Sequence, residues 1–245
     1  MAALVSAPAP SADPPRRAPH RVRWTPWLLV PLPAQIAATI GAAEVVGADA
    51  VEDGELYWSY PWAVTGLIGY GVLILAALAV ARRLGPIRDV LGLRALPAGR
   101  TAGLVALSVF AIFVVNAALE PIFHGAERQA EQGGLDPVPF PGGTGAVVAA
   151  VLAVSVLCVA APIAEELFFR GLVHGALRRF GVPLATVLSA TFFAGVHFVP
   201  AAIPVLFVVG VVLALLYERT GSLIPGIIVH ACINSLATAG ALLSA

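Results

Sequence analysis

Apolar residues fill this chain in seven blocks, at approximately 25–43, 60–81, 101–119, 144–165, 183–199, 201–217 and 222–243, separated by shorter polar stretches. Each block is near the ~20 residues that a helix needs to cross ~30 Å of hydrocarbon. The pattern therefore predicts an all-α protein, a polytopic transmembrane bundle of about seven helices. Pro31 and Pro33 interrupt the first block, where Gln35 is also polar. The helix that begins in the fourth block is expected to continue to about Phe180 and to turn at Gly181-Val182-Pro183, since Gly ends a helix and Pro opens the next. The Gly/Pro-rich stretch from Gly133 to Gly143 reads as a linker. Three portions result: a disordered tail at 1–24, N-terminal transmembrane helices at 25–143, and a C-terminal transmembrane core at 144–245 that holds nearly all the unusual polar residues.

Composition supports the membrane reading. Of 245 residues, 59% are hydrophobic and 11% are charged, against about 25% charged in soluble domains. Charge then orients the bundle. All 14 basic residues are Arg and they balance 14 acids, which argues against a nucleic-acid partner. With the N-terminus in the cytoplasm, Arg82, Arg83, Arg88, Arg94 and Arg100 share one inside loop, Arg178 and Arg179 the next, and Arg219 the last; only Arg128 falls outside. The outside loops are acidic, with Glu44, Asp49, Glu52, Asp53 and Glu55 in the first and Glu120, Glu127, Glu131 and Asp136 in the second. The tail has four arginines but no apolar run suited to a signal peptide. Cys158 and Cys232 sit in apolar blocks as small hydrophobes, and no disulfide is assigned.

Glu165, Glu166, Arg170, His174, His197, His230 and Asn234 break the apolar pattern of the C-terminal core. A charge within hydrocarbon costs roughly 2.5–3.5 kcal/mol on insertion scales unless it faces protein or water. Glu166 and Arg170 are four apart and share a helix face, so they can pair, while Glu165 is rotated by about 100° and left free to act. Glu165 lies sixteen residues before Gly181 and His197 sixteen after it. An antiparallel hairpin then sets both at one depth, roughly 24 Å from its tip. His230 and Asn234 are four apart on the last helix and share a face. His174 lies towards the cytoplasmic surface, where it binds headgroups, supports Glu166 or serves packing. His20 and His124 fall in the tail and in an outside loop.

A Glu, two His and an Asn suit two chemistries. Glu165 with His197 can activate a water while His230 and Asn234 donate to the oxyanion of a tetrahedral intermediate. Alternatively Glu165, His197 and His230 can ligate a divalent metal such as zinc, which would activate the water. Both give hydrolysis of a peptide bond within the membrane.

Glu165-Glu166-x-x-x-Arg170, Phe193-x-x-x-His197 and His230-x-x-x-Asn234 resemble the three motifs of the CPBP (Abi) intramembrane proteases, the family that includes the CAAX prenyl endopeptidases. Tyr217-Glu218-Arg219-Thr220-Gly221-Ser222-Leu223 is also similar to the family pattern, and the likeness covers roughly 144–240. It implies Glu165 as general base with His197 sharing the water, His230 and Asn234 as oxyanion hole, and Glu166 with Arg170 in support. Family members have been described as metalloproteases and as metal-free glutamate-type proteases; Asn234, a natural oxyanion donor and a poor zinc ligand, favours the second. Substrates implied are CAAX-type or other membrane proteins and lipid-anchored peptides. The absence of Lys beside abundant Ala, Arg, Gly and Pro points to a bacterial plasma membrane. Two competing readings are a non-catalytic self-immunity or abortive-infection scaffold and a small transporter, the latter without the inverted repeat transporters show.

Overall fold

The computed structural model describes residues 22–46, 60–123 and 144–244. These residues are helical, with no strand among them. The tail to residue 21, most of the acidic positions of the outside loops, the linker at 133–143, His20 and His124 lie outside the described residues.

A short 3-10 turn, Pro26–Leu29, leads into α1, Pro31–Val46. Pro31 and Pro33 thus occupy the first turn of α1, where a missing N–H breaks no intrahelical bond. Helix α2 spans Tyr60–Leu84, α3 is the single turn Ile87–Val90, and α4 spans Ala98–Phe123. Helix α5 begins at Thr144 and runs unbroken to Phe180. Helix α6 is Val182–Gly195, α7 is Ile203–Thr220 and α8 is Ile224–Ser244. Gly181, at φ 93°, makes the turn between α5 and α6, a conformation that glycine adopts without a Cβ penalty. Gly221, at φ 62°, closes α7, its N–H donating to the Tyr217 carbonyl.

Among the described residues, five helical segments are long and apolar enough to cross a membrane: Pro26–Val46, Tyr60–Leu84, Ala98–Phe123, Val147–Phe180 and Pro200–Thr220. Two further apolar helices, Val182–Gly195 and Ile224–Gly240, are shorter. The fifth apolar block, expected to be helical to residue 199, ends its helix at Gly195, so α6 has 14 residues and a length of about 21 Å.

Helix α5 is the centre of the bundle. It packs against α2 on one side, α6 and α8 on others, while α1 lies on α2 and α4 lies on α7 and α8. From 161 to 176 every residue except Ile163 and Val173 is buried. A helix apolar nearly all round belongs in the interior, and Phe168 and Phe169 stack edge-on with Phe192 and Phe193 of α6 to fill it.

This helix departs from the regular α geometry expected of it. Val156–Ala160 and Glu166–His174 are π-helical, with α-helical Ala161–Glu165 between them. One cause is legible in Pro162, which lacks an N–H and cannot close a turn onto the carbonyls of Cys158 or Leu157. Widened π turns occur often at functional sites.

The loop after α2 docks on the α7–α8 turn. Leu223 N–H donates to the Gly92 carbonyl and the Ser222 hydroxyl donates to the Arg94 carbonyl. Gly92, at φ 62°, has no room for a side chain, since a Cβ would lie 2.8 Å from the Gly221 carbonyl oxygen. At the same end, Arg83 sits over the Trp27 ring and Arg179 over Trp24.

Candidate active site

Glu165 and Glu166 lie within α5, fifteen and fourteen residues before Phe180, and they face different partners. Glu166 Oε1 is 2.8 Å from Arg170 Nη1 and 3.2 Å from His230 Nδ1. Arg170 is 1% exposed, lies 4.4 Å above the Phe193 ring and donates through Nη2 to the Gly210 carbonyl. The spacing of four that suggested this ion pair is thus realised, on a π rather than an α turn. Room for the carboxylate comes from Gly226 of α8, where a Cβ would lie 3.2 Å from Glu166 Oε2.

Glu165 Oε1 accepts a hydrogen bond of 3.0 Å from the Tyr70 hydroxyl of α2. Glu165 Oε2 is buried with no hydrogen-bond partner. It faces His230 Nε2 at 3.7 Å and His197 Nε2 at 3.9 Å, distances too long for direct hydrogen bonds.

His197 does not sit on a helix, as the spacing Phe193-x-x-x-His197 suggested. It occupies the turn beyond Gly195, followed by Phe198 at φ 54°. The spacing of four still operates: His197 Nδ1 donates to the Phe193 carbonyl at 2.7 Å, satisfying one of the orphan acceptors of the helix end. The Phe193 ring packs edge-on against His197 and His230 at centroid distances of 4.9 and 5.7 Å.

The outer bonds fix which nitrogen of each imidazole carries the proton when the ring is neutral. Nδ1 of His197 faces a carbonyl and Nδ1 of His230 faces a carboxylate, so both Nδ1 atoms carry protons. In a neutral ring each Nε2 then presents a lone pair towards Glu165 Oε2. Three lone pairs converge, a set that can accept protons from a small molecule placed between them. The ligand types also suit zinc, with the far nitrogen of each histidine held as in zinc sites. Among the described residues, however, no three His, Cys, Asp or Glu side chains are grouped closely enough to hold a metal ion.

Asn234 has its bonded contact elsewhere. Its Nδ2 donates at 2.8 Å to the Leu157 carbonyl, the acceptor that a π turn at Pro162 would leave open. One N–H of the amide remains. His174 is fully buried; it contacts Ser189 Oγ at 3.2 Å and Glu218 Oε1 at 2.7 Å, and Arg178 pairs with the same Glu218 oxygen. Neither headgroup binding nor support of Glu166 fits that position, and His174 serves the packing of α5 on α6 and α7. Cys158 and Cys232 are free thiols.

A cavity of about 410 Å³ opens beside Glu165 and His197. Its other wall comes from the N-terminal helices, with Leu32, Gln35, Ile36, Thr39 and Ile40 of α1 and Tyr70 and Leu73 of α2. A larger cavity of about 950 Å³ between α4, α5 and α8 is lined by none of the groups of the site; apart from the thiols of Cys158 and Cys232 and the hydroxyl of Ser235 its lining is apolar. Tyr70 was missed by sequence reasoning: a tyrosine in an apolar block gives no local signal, and its partner is 95 residues away.

No curated protein and no solved structure matches the chain. Residues 147–236, which supply every group of this site except those of α1 and α2, are similar to the family model described as type II CAAX prenyl endopeptidase Rce1-like.

Proposed function

We propose that the protein is an intramembrane endopeptidase in which Glu165 is the general base. The observation that carries this reading is Glu165 Oε2, a buried carboxylate oxygen without a hydrogen bond, facing two imidazoles on the wall of a cavity. A water between Glu165 and His197 gives a proton to Glu165 as its oxygen attacks the carbonyl carbon of the scissile peptide. The tetrahedral oxyanion accepts hydrogen bonds from His230 and from the remaining N–H of Asn234. To donate from Nε2 while Nδ1 donates to Glu166, His230 carries both protons, which explains why a second carboxylate, itself neutralised by Arg170, stands behind it. Glu165 then passes its proton to the departing amide nitrogen, the C–N bond breaks, and acid and amine leave.

Glu165, His197 and His230 would have to draw closer together to hold a divalent metal, which would then supply Lewis-acid polarisation of the water. No step above runs through it. Substrates are membrane proteins or lipid-anchored peptides, CAAX-type or other. The arginine-rich end, where Arg83, Arg94 and Arg179 gather by the contacts described, faces the cytoplasm of a bacterial plasma membrane, with seven crossings and the N-terminus inside.

The test is cleavage of a panel of membrane peptides by the purified protein. Glu165→Gln is expected to lower the rate by about 10²- to 10⁴-fold. Equal cleavage by the variant would sink Glu165 as the base, whereas no cleavage by the wild type beside an intact cellular phenotype in Glu165→Gln would put a non-catalytic scaffold in its place. Activity that survives a strong chelator is expected; activity lost with it and restored by zinc would move the water onto a metal.

A further inference from the structure

We propose that Tyr70 is a positioning residue of this site: its hydroxyl anchors one oxygen of Glu165 so that the other faces the two histidines. The inference rests on the reading of Glu165 as the base, and it extends the site beyond residues 147–236 into the N-terminal helices.

The Tyr70 hydroxyl is the one direct hydrogen-bond donor to the Glu165 side chain among the described residues, at 3.0 Å. The other groups that face this carboxylate, His197 and His230, stand 3.9 and 3.7 Å from Oε2, while Glu166 and Arg170 on the same helix pair with each other. The terminal torsion of a glutamate is broad and roughly two-fold. Without an anchor, the carboxylate can turn its reactive oxygen away from the histidines; a charge-assisted bond from a phenol to Oε1 removes that freedom. Tyr70 also lines the same cavity as Glu165 and His197.

The packing of α2 is built to bring this hydroxyl close. Gly66 and Tyr70 are four apart and share a face. A Cβ at Gly66 would lie 3.0 Å from Val156 Cγ1 of α5, so a glycine lets α2 approach α5 one turn before Tyr70. On the neighbouring face, Gly69 lies directly against the Thr39 hydroxyl of α1. The two glycines clamp α2 between α1 and α5, and the hydroxyl arrives at Glu165.

The experiment compares wild type, Tyr70→Phe and Glu165→Gln in one detergent, on a peptide that the wild type cuts. Tyr70→Phe removes a single oxygen, and an unchanged thermal midpoint checks that the fold is intact. Misplacing the base is expected to lower kcat by about 10- to 100-fold while KM stays within about twofold. Wild-type kcat in Tyr70→Phe beside an inactive Glu165→Gln overturns the role of Tyr70 and leaves the proposed function standing. A loss carried by KM alone also overturns it, because Tyr70 would then contact substrate rather than set the base. Full activity of Glu165→Gln overturns both.

Discussion

At the scale of single residues, two adjacent carboxylates have separate duties because their partners differ. Glu166 is held by Arg170 and backs His230, whereas Glu165 keeps one oxygen free. The division into a paired and a free glutamate was legible from the spacing of four alone. What each free group would meet was not, since Tyr70, His197 and His230 come from three other parts of the chain. The buried pair makes a sharp prediction. Arg170→Met leaves the buried Glu166 without its guanidinium and with only the His230 N–H against it, and unfolding in detergent is expected to become easier by about 3–5 kcal/mol. Replacing both, as Glu166→Leu with Arg170→Met, should recover most of that loss of stability while activity stays low, because His230 loses its acceptor. A double variant no more stable than Arg170→Met would mean that the ion pair is not the source of the loss.

At the scale of elements, close approach is set by glycines and register by the π turns. Gly210 of α7 faces Ala190 of α6, where a Cβ would lie 2.9 Å from Ala190 Cβ and 3.0 Å from its Cα. Backbone cannot swing aside as a long side chain can, so Gly210→Ala must part the two helices. A cost of about 1–3 kcal/mol is expected in thermal or denaturant unfolding, with a fall in activity because Arg170 donates to the Gly210 carbonyl. Gly71 is the contrast: nothing lies within 4 Å of a Cβ there, and Gly71→Ala is expected to leave the unfolding free energy unchanged or raise it by up to about 1 kcal/mol. The continuity of α5 through its charges to the Gly181 turn was readable from turn chemistry, which is local. Its π geometry was not, although Pro162 marks the place where regular bonding fails. The early end of α6 was also hidden, because Val196, Phe198 and Val199 continue the apolar block without continuing the helix.

At the scale of the whole molecule, the N-terminal helices are part of the site rather than an appendage to it. They form one wall of the cavity beside Glu165, while the larger apolar cavity lies between α4, α5 and α8. A photoreactive side chain at Ile36 of α1 is therefore expected to capture a bound peptide substrate, and one at Phe110 of α4 is not; the reverse labelling would place substrate in the wrong cavity. Taken alone, the sequence determined that the protein is helical and membrane-embedded and that α5 turns at Gly181, and it singled out Glu165, Glu166, Arg170, His197, His230 and Asn234 as candidates, because apolar block length, turn residues and spacings of four are properties of short stretches. Only the tertiary structure decided what each of them touches: Tyr70 on Glu165, His230 between the two carboxylates, Asn234 on the Leu157 carbonyl and His174 in a separate buried cluster. Those contacts depend on how each helix is rotated and how near it comes to its neighbour, and that is settled by packing at Gly66, Gly69, Gly210 and Gly226 between residues far apart in the chain, where no periodicity reaches.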